Sequence, residues 1–96
     1  MGIAELIHDK REEILRIAAK HGAQRIRVFG SVARGEAGPQ SDVDFLIEVG
    51  AQHSPFFPGG LVMDLEALLG CRVDVVEPEG LYAPLKATVL QEAVPL

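Results

Sequence analysis

Apolar residues in the first twenty positions recur at spacings of three and four, which predicts an amphipathic helix over Ile3–Lys20. The helix is expected to stop at His21-Gly22, because glycine accepts the left-handed conformation that ends helices. The apolar face of this helix consists of Ile3, Leu6, Ile7, Ile14, Ile17 and Ala18.

Two strand patterns follow the helix. Arg25–Phe29 alternates in polarity and predicts a short strand that runs directly into Gly30-Ser31. Asp42–Val49 is rich in Val, Phe, Leu and Ile and predicts the strongest strand of the chain. Between them, Val32–Gly35 is long enough for one helical turn, which Gly38-Pro39 must end.

The second half of the chain predicts a loop, a helix, a strand and a helix. Gly50–Gly60 holds two prolines and several glycines, as loops do. Leu61–Leu69 has helical spacing of leucines and is followed by Gly70, a typical helix end. Arg72–Val76 predicts a third strand, and Pro84–Glu92 predicts a last short helix with proline in its first turn.

This order of elements predicts an α/β (α+β) fold in which helices flank a small mixed β-sheet. The short connection between the first two strands favours antiparallel neighbours, whereas the helix between the second and third allows them to be parallel. With 96 residues, the chain is expected to form one domain over residues 1–96.

Charge narrows the range of partners. The chain carries 14 acidic and 9 basic residues, for a net charge of -5. Such a surface disfavours direct nucleic-acid binding, which depends on neutralising phosphates with basic side chains. A partner protein with a basic or mixed surface is expected instead, and a small apolar-rich domain of this kind also leaves homo-oligomer formation open.

The N-terminal segment and the single cysteine indicate a cytoplasmic location. Glu5, Asp9, Lys10 and Arg11 are charged and no long apolar stretch follows them, so neither a signal peptide nor a membrane span is expected. Cys71 is the one cysteine, which rules out an intrachain disulfide and is typical of a reducing compartment. We interpret Cys71 as a small residue beside a strand.

Candidate chemistry begins at the end of the first predicted strand. Gly30 lets the backbone turn sharply and approach a ligand closely, and a turn that starts at Ser31 presents N–H groups suited to phosphate oxygens. Arg34 lies in the same turn and can add a charge-assisted hydrogen bond. The alternative is an ordinary turn in which Ser31 caps the backbone and Arg34 is solvated.

Two carboxylates open the second predicted strand. Asp42 and Asp44 are two residues apart, so both project to one face, opposite Val43, Phe45 and Ile47. Two like charges side by side are explained by a bound divalent cation, since Mg²⁺ is held by one or two carboxylates together with substrate phosphates. The alternative is a solvated strand entry, with Asp42 capping a turn.

A third carboxylate lies within the third predicted strand. Asp74 is flanked by Val73 and Val75, so we expect it in a half-buried or buried segment, where an unpaired carboxylate is costly. Metal coordination or proton abstraction would account for it there. A salt bridge with Arg72 or another cation is the alternative.

Other types of site are poorly supported. His8, His21 and His53 are scattered rather than at zinc-ligand spacing, and we interpret each as structural or solvated. Phe56 and Phe57 lie in the proline-rich loop, where they form either a partner-binding patch or part of the packing.

Taken together, the motifs resemble a known signature. Gly30-Ser31 is followed by ten residues and then Asp42-x-Asp44, which resembles the Gly-Ser-x10-Asp-x-Asp signature of the DNA polymerase beta nucleotidyltransferase superfamily. Further details, Gly-Ser-x-Ala-Arg-Gly and Ser-Asp-x-Asp, are similar to its minimal nucleotidyltransferase (MNT) branch. Val73–Val76 and Leu90–Val94 are similar to that branch as well.

The resemblance implies a polymerase beta-like fold and a role for each motif. Asp42 and Asp44 would hold Mg²⁺, Gly30 and Ser31 would contact the nucleotide phosphates, and Asp74 would help to hold metal and activate the attacking hydroxyl. In-line transfer by two ions about 3.5–4 Å apart fits three carboxylates. The phosphate contact of Arg34 is inferred from its charge and position alone.

The resemblance also implies a function. It implies an enzyme that transfers a nucleoside monophosphate, AMP from ATP, to an acceptor hydroxyl on a partner protein. Members of the minimal branch act as antitoxins of HEPN-domain toxins and adenylylate them on tyrosine, so a toxin–antitoxin pair is expected here. The alternative is a catalytically silent module that neutralises a HEPN-type partner by contact.

Overall fold

The computed structural model describes residues 2–36, 38, 42–50 and 57–96. Several positions named above lie outside these residues, namely Pro39, Ser41, His53, Pro55 and Phe56. The elements in chain order are α1 (Ile3–Asp9), α2 (Arg11–Lys20), β1 (Ala23–Phe29), β2 (Val43–Val49), α3 (Gly59–Leu69), β3 (Val73–Val76), a 3₁₀ turn (Pro78–Gly80), α4 (Ala83–Glu92) and β4 (Val94–Pro95).

The four strands form one mixed sheet in the order β3-β2-β1-β4. β1 runs antiparallel to β2 and to β4, and β2 runs parallel to β3 across the helical connection through α3. Both predicted pairings, antiparallel for the first two strands and parallel for the next two, are therefore confirmed, as is the predicted fold class.

The predicted N-terminal helix is wrong in one respect, because it consists of two helices. Lys10, at φ -98° and ψ 11°, separates α1 from α2. Helical hydrogen bonds continue on both sides of it: Lys10 N donates to Leu6 O at 3.0 Å, and Ile14 N donates to Lys10 O at 2.9 Å. The bend falls where the apolar spacing is interrupted between Ile7 and Ile14, so both helices keep their apolar faces on the sheet.

Helix ends follow the predicted glycines. α2 ends at Lys20 with His21 as its C-cap, and Gly22 adopts a φ of 89°. α3 starts two residues earlier than predicted and ends at Leu69, with Gly70 as its left-handed C-cap at φ 69°. Val73 N at the start of β3 then donates to Glu66 Oε2 of α3 at 3.0 Å, which fixes the strand against the helix that precedes it.

The core lies between one face of the sheet and α1, α2 and α3. Val43, Phe45 and Ile47 are fully buried on that face, as strand alternation predicted. Leu46 points to the opposite face and is also fully buried, because the 3₁₀ turn contacts β2 there. The central cluster comprises Ile7, Ile14, Ala18, Ile26, Val28, Val32, Val43, Phe45, Ile47, Leu61, Leu65, Leu69 and Val73.

The last residues add a strand that the sequence pattern did not predict. Val94 pairs with Val28, and Pro95 pairs with Arg27, so β4 extends the sheet beside β1. Proline is compatible with this position because β4 is an edge strand and its outer side needs no ladder donor. Within the described residues, none of the helices has the length and apolar content needed to cross a membrane.

Candidate functional site

Strand register brings the predicted site residues to one end of the sheet. Asp44, the second residue of β2, pairs with Phe29 at the end of β1 on one side and with Asp74 of β3 on the other. Paired positions on neighbouring strands share a face, so the Asp44 and Asp74 side chains lie side by side. Asp42 immediately precedes β2, and Gly30 immediately follows β1.

Electrostatics at Asp44 confirm this proximity. Partial burial raises the pKa of the Asp44 carboxyl above its ordinary value, and the negative charges of Asp74 and Asp42 raise it further. The nearby positive charge of Arg34 acts in the opposite direction. A group of carboxylates that repel one another in this way gains stability when a cation binds between them.

Asp74 differs from the expectation in its burial. It is exposed, whereas its strand neighbour Val73 is buried. The reason is that β3 is an edge strand and Asp74 points away from the core face, so desolvation does not explain its presence. Among the described residues no salt bridge joins it to Arg72, and that alternative is therefore not supported.

Gly30 lies directly against Asp44. Its φ is 76°, a left-handed conformation that favours glycine. A Cβ added at this position would overlap the Oδ2 atom of Asp44. Glycine therefore serves two purposes here: it permits the turn out of β1, and it leaves the space that the carboxylate occupies.

The segment after Gly30 forms a tight turn held by backbone hydrogen bonds. Arg34 N donates to Gly30 O at 3.1 Å, and Glu36 N donates to Ser31 O at 2.8 Å. Val32, inside the turn, is buried in the core. Burial of Val32 thus anchors the turn to the core, and Ser31 directly follows Gly30 after the end of β1.

Arg34 is exposed, as the alternative interpretation expected, but its guanidinium also pairs with two carboxylates. Its Nε donates to Glu36 Oε1 at 2.7 Å, and its Nη1 donates to Glu92 Oε1 of α4. Glu36 and Glu92 both raise the pKa of Arg34. Sequence reasoning missed Glu92, because its contact with Arg34 spans 58 residues and follows no local pattern.

The remaining candidates have structural roles. His21 is buried at the end of α2, and its Nε2 lies 2.7 Å from Asp64 Oδ2 of α3. Phe57 packs against the core cluster, in agreement with a packing role. Burial, followed by the charges of Asp42 and Glu66, raises the pKa of the Cys71 thiol, which disfavours a reactive thiolate.

The carboxylates fit a hard cation in chemistry but do not form a closed cage. Within the part of the chain that the structure describes, no three His, Cys, Asp or Glu side chains converge closely enough to hold a metal ion by themselves. Mg²⁺ typically binds one or two carboxylates and completes its shell with water and substrate phosphates. An open set of carboxylates beside the Gly30 turn has this character.

A family comparison identifies the class of protein to which this chain belongs. The sequence matches the family model of the nucleotidyltransferase domain over residues 11–96. The chain belongs to the nucleotidyltransferase domain family. This family assignment confirms the predicted enzyme class, and it spans α2 to β4, including every predicted site residue.

Individual nucleotidyltransferases are similar over most of this chain. The protein adenylyltransferase MntA of Thermococcus cleftensis is 44% identical over 75 residues, which is 78% of this chain and 76% of that protein. A solved structure provisionally described as a minimal nucleotidyltransferase is 46% identical, with a TM-score of 0.87, and covers 100% of this chain and 97% of its own. The predicted resemblance to the minimal branch is thereby confirmed.

More distant structures share the nucleotidyltransferase fold. A toxin–antitoxin crystal structure with AMP-PNP contains a chain that is 21% identical, with a TM-score of 0.73, over 88% of this chain and 69% of that one. At this identity the likeness establishes the common architecture, in which helices flank the mixed sheet.

Proposed function

We propose that this nucleotidyltransferase is a magnesium-dependent protein adenylyltransferase that transfers AMP from ATP to a hydroxyl of a partner protein. Similarity to an enzyme named protein adenylyltransferase MntA, over three quarters of both chains, supports the reaction type. The observation that carries the proposal is the strand register that places Asp44 beside Asp74 and against Gly30.

The proposed metal ligands are Asp42, Asp44 and Asp74, and two Mg²⁺ ions are expected. Their oxygen donors suit a hard divalent cation, as does the raised pKa of Asp44, which results first from burial and then from the charges of Asp74 and Asp42. When bound, Mg²⁺ supplies charge neutralisation for the triphosphate and its leaving group. The open carboxylate set is consistent with ATP itself providing the remaining oxygen ligands.

The residues of the chain would divide the work of binding and proton transfer. Backbone N–H groups of the Gly30-Ser31 turn and the Arg34 guanidinium would bind the phosphates and orient the α-phosphorus. The acceptor hydroxyl oxygen forms the new bond to the α-phosphorus, and the bond to pyrophosphate breaks. Asp74, which is exposed, would take the hydroxyl proton.

The proposed partner is a HEPN-domain toxin, with this chain as its antitoxin in the cytoplasm. A net charge of -5 disfavours a nucleic-acid acceptor and suits a protein with a basic or mixed surface.

The decisive experiment incubates the purified protein with ATP, Mg²⁺ and each of several HEPN-domain proteins, and measures intact mass. We expect one partner to gain AMP, and peptide mapping to place it on tyrosine. The Asp42→Ala, Asp44→Ala double variant should leave the partner unmodified, whereas the control Asp9→Ala, at an exposed carboxylate of α1, should retain full transfer.

A growth assay with the same variants separates catalysis from the contact-only alternative. If the double variant still neutralises the toxin as well as wild type, and no partner gains AMP, the chain acts by contact. If neutralisation is lost together with AMP transfer, the enzymatic function holds.

A further inference from the structure

An ion pair between distant parts of the chain fixes the one cation of the Gly30-Ser31 turn. Glu92 is the last residue of α4, and it accepts a hydrogen bond from Arg34 Nη1 across 58 residues of sequence. The side chain of Glu92 is 18% exposed, compared with 60% for Glu36, the other partner of Arg34. Glu92 is therefore the more buried of the two partners.

The shape of a guanidinium makes this contact informative. Its five N–H donors lie in one plane in a fixed fork. Glu36 holds Nε and Glu92 holds Nη1, so the plane and direction of the group are set. Within the described residues, Nη2 of Arg34 has no hydrogen-bond partner, and its two N–H groups stay available to a ligand.

Both members of the pair lie within electrostatic reach of the catalytic carboxylates. The charge of Arg34 lowers the pKa of Asp44, and the charge of Glu92 raises it. A triphosphate bound at Asp44 and Gly30 would therefore lie near the guanidinium. Glu92 alone would repel that triphosphate, so any favourable effect of Glu92 on ATP must act through Arg34.

We propose that Glu92 is a positioning residue, which holds the Arg34 guanidinium so that Nη2 donates to the triphosphate of the nucleotide. The inference rests on the proposed function, because it requires ATP at the Gly30-Ser31 turn. It adds a tertiary link to that site: the C-terminal helix α4 sets the orientation of a phosphate-binding side chain in the turn after β1.

The test is a double-mutant cycle on ATP affinity, measured by isothermal titration in the presence of Mg²⁺. Glu92→Ala should weaken ATP binding by about fivefold to tenfold, the range expected when a charge-assisted hydrogen bond loses its geometry. The control Glu13→Ala removes an exposed carboxylate of α2 that pairs with Lys10 and should change affinity by less than about twofold. In an Arg34→Ala background, Glu92→Ala should cause no further weakening.

The sign of the effect distinguishes positioning from simple charge. If Glu92 acted only as a nearby negative charge, Glu92→Ala would tighten ATP binding, and that result would overturn the proposal. Equal weakening with and without Arg34 would overturn it as well. Glu92→Asp keeps the negative charge on a shorter side chain and should recover part of the ATP affinity. If Glu92→Ala fails to fold, Glu92→Asp replaces it in the double-mutant cycle with Arg34→Ala.

The same titrations separate this inference from the proposed function. A wild-type chain that binds no ATP with Mg²⁺ contradicts both the nucleotide site and the positioning role. A wild type that binds ATP, together with a Glu92→Ala variant of equal affinity, contradicts the positioning role alone.

Discussion

At the scale of single residues, the site depends on the absence of a side chain at Gly30 as much as on the charged residues. Gly30 and Gly35 are both left-handed, at φ 76° and 74°, but only Gly30 lies against Asp44. An added Cβ at Gly35 meets nothing within 4 Å. The two glycines therefore form a natural pair for separating backbone strain from disturbance of the carboxylate.

We expect Gly30→Ala to impair the site and Gly35→Ala to leave it intact. Each should lose about 1–2 kcal/mol of stability from left-handed strain, and only Gly30→Ala should displace Asp44. ATP affinity in the presence of Mg²⁺ should fall by at least about tenfold in Gly30→Ala and stay within about twofold in Gly35→Ala. Equal losses of affinity in the two variants would show that the overlap with Asp44 has no role.

The raised pKa of Asp44 predicts a cost to stability that depends on pH. A carboxyl whose pKa is higher in the folded than in the unfolded state is penalised while ionised, and the penalty disappears as pH falls through the folded pKa. In the absence of metal, Asp44→Asn should therefore be more stable than wild type at neutral pH. The difference should narrow as pH falls toward the ordinary range of aspartate.

Urea unfolding of wild type and Asp44→Asn across that pH range measures this effect. Asp9→Asn, at an exposed carboxylate of α1 that lies 3.9 Å from His8, serves as the control and should change little. A stabilisation that grows with falling pH would contradict the assigned direction of the Asp44 pKa.

At the scale of elements, Asp64 joins α3 to the end of α2 through contacts with His21 and Lys20. Asp64 of α3 accepts a hydrogen bond from His21 at the end of α2, and this bond lowers the pKa of the Asp64 carboxyl, as does the charge of Lys20. The ionised form is therefore favoured by folding. Its contribution is present above the unfolded pKa and is lost as pH falls through the lowered folded value.

Asp64→Asn should accordingly lower the melting temperature at neutral pH and approach wild type in acid. Thermal unfolding at several pH values measures the difference. Glu13→Gln, which removes an exposed ion pair with Lys10 on α2, is the control and should have almost no effect. A deficit in Asp64→Asn that persists unchanged in acid would assign the effect to packing instead of charge.

Local patterns predicted the elements well, and tertiary context explains the differences. β1, β2, β3, α3 and α4 followed from alternation, helical spacing and flanking glycines, all of which are local. The break at Lys10 left only a gap in the apolar spacing, and β4 is too short, at two residues, for any alternation to be visible. Burial of Asp74 was wrong because the sequence does not reveal which strand lies at an edge.

The candidate site also contains residues that local patterns predict and one contact that depends on tertiary structure. Asp42, Asp44, Asp74, Gly30 and Ser31 follow from spacing and from the family resemblance, and their catalytic roles stay predictions. The Arg34 contact with Glu92 depends on where α4 lies in three dimensions. No periodicity joins positions 34 and 92, so only the folded chain reveals that pair.

At the scale of the whole molecule, acidic charge and the edges of the sheet both affect association with other chains. The net charge is -5, and three of the carboxylates, Asp42, Asp44 and Asp74, lie close together at one end of the sheet. The sheet order leaves β3 at one edge and β4 at the other. Both edge strands are short, at four and two residues, which limits the backbone available to a second sheet.

Because β3 is an edge strand, Asp74 also affects the tendency of the protein to aggregate. Without its carboxylate, the edge would read Val-Ala-Val-Val in Asp74→Ala, an uncharged β-prone segment open to strand addition. Asp74→Ala should therefore scatter more light at high concentration than Asp42→Ala, whose substitution precedes β2 in the sheet interior. A failure of Asp74→Ala to protect cells could then reflect insolubility, and Asp42 is the cleaner position at which to abolish transfer.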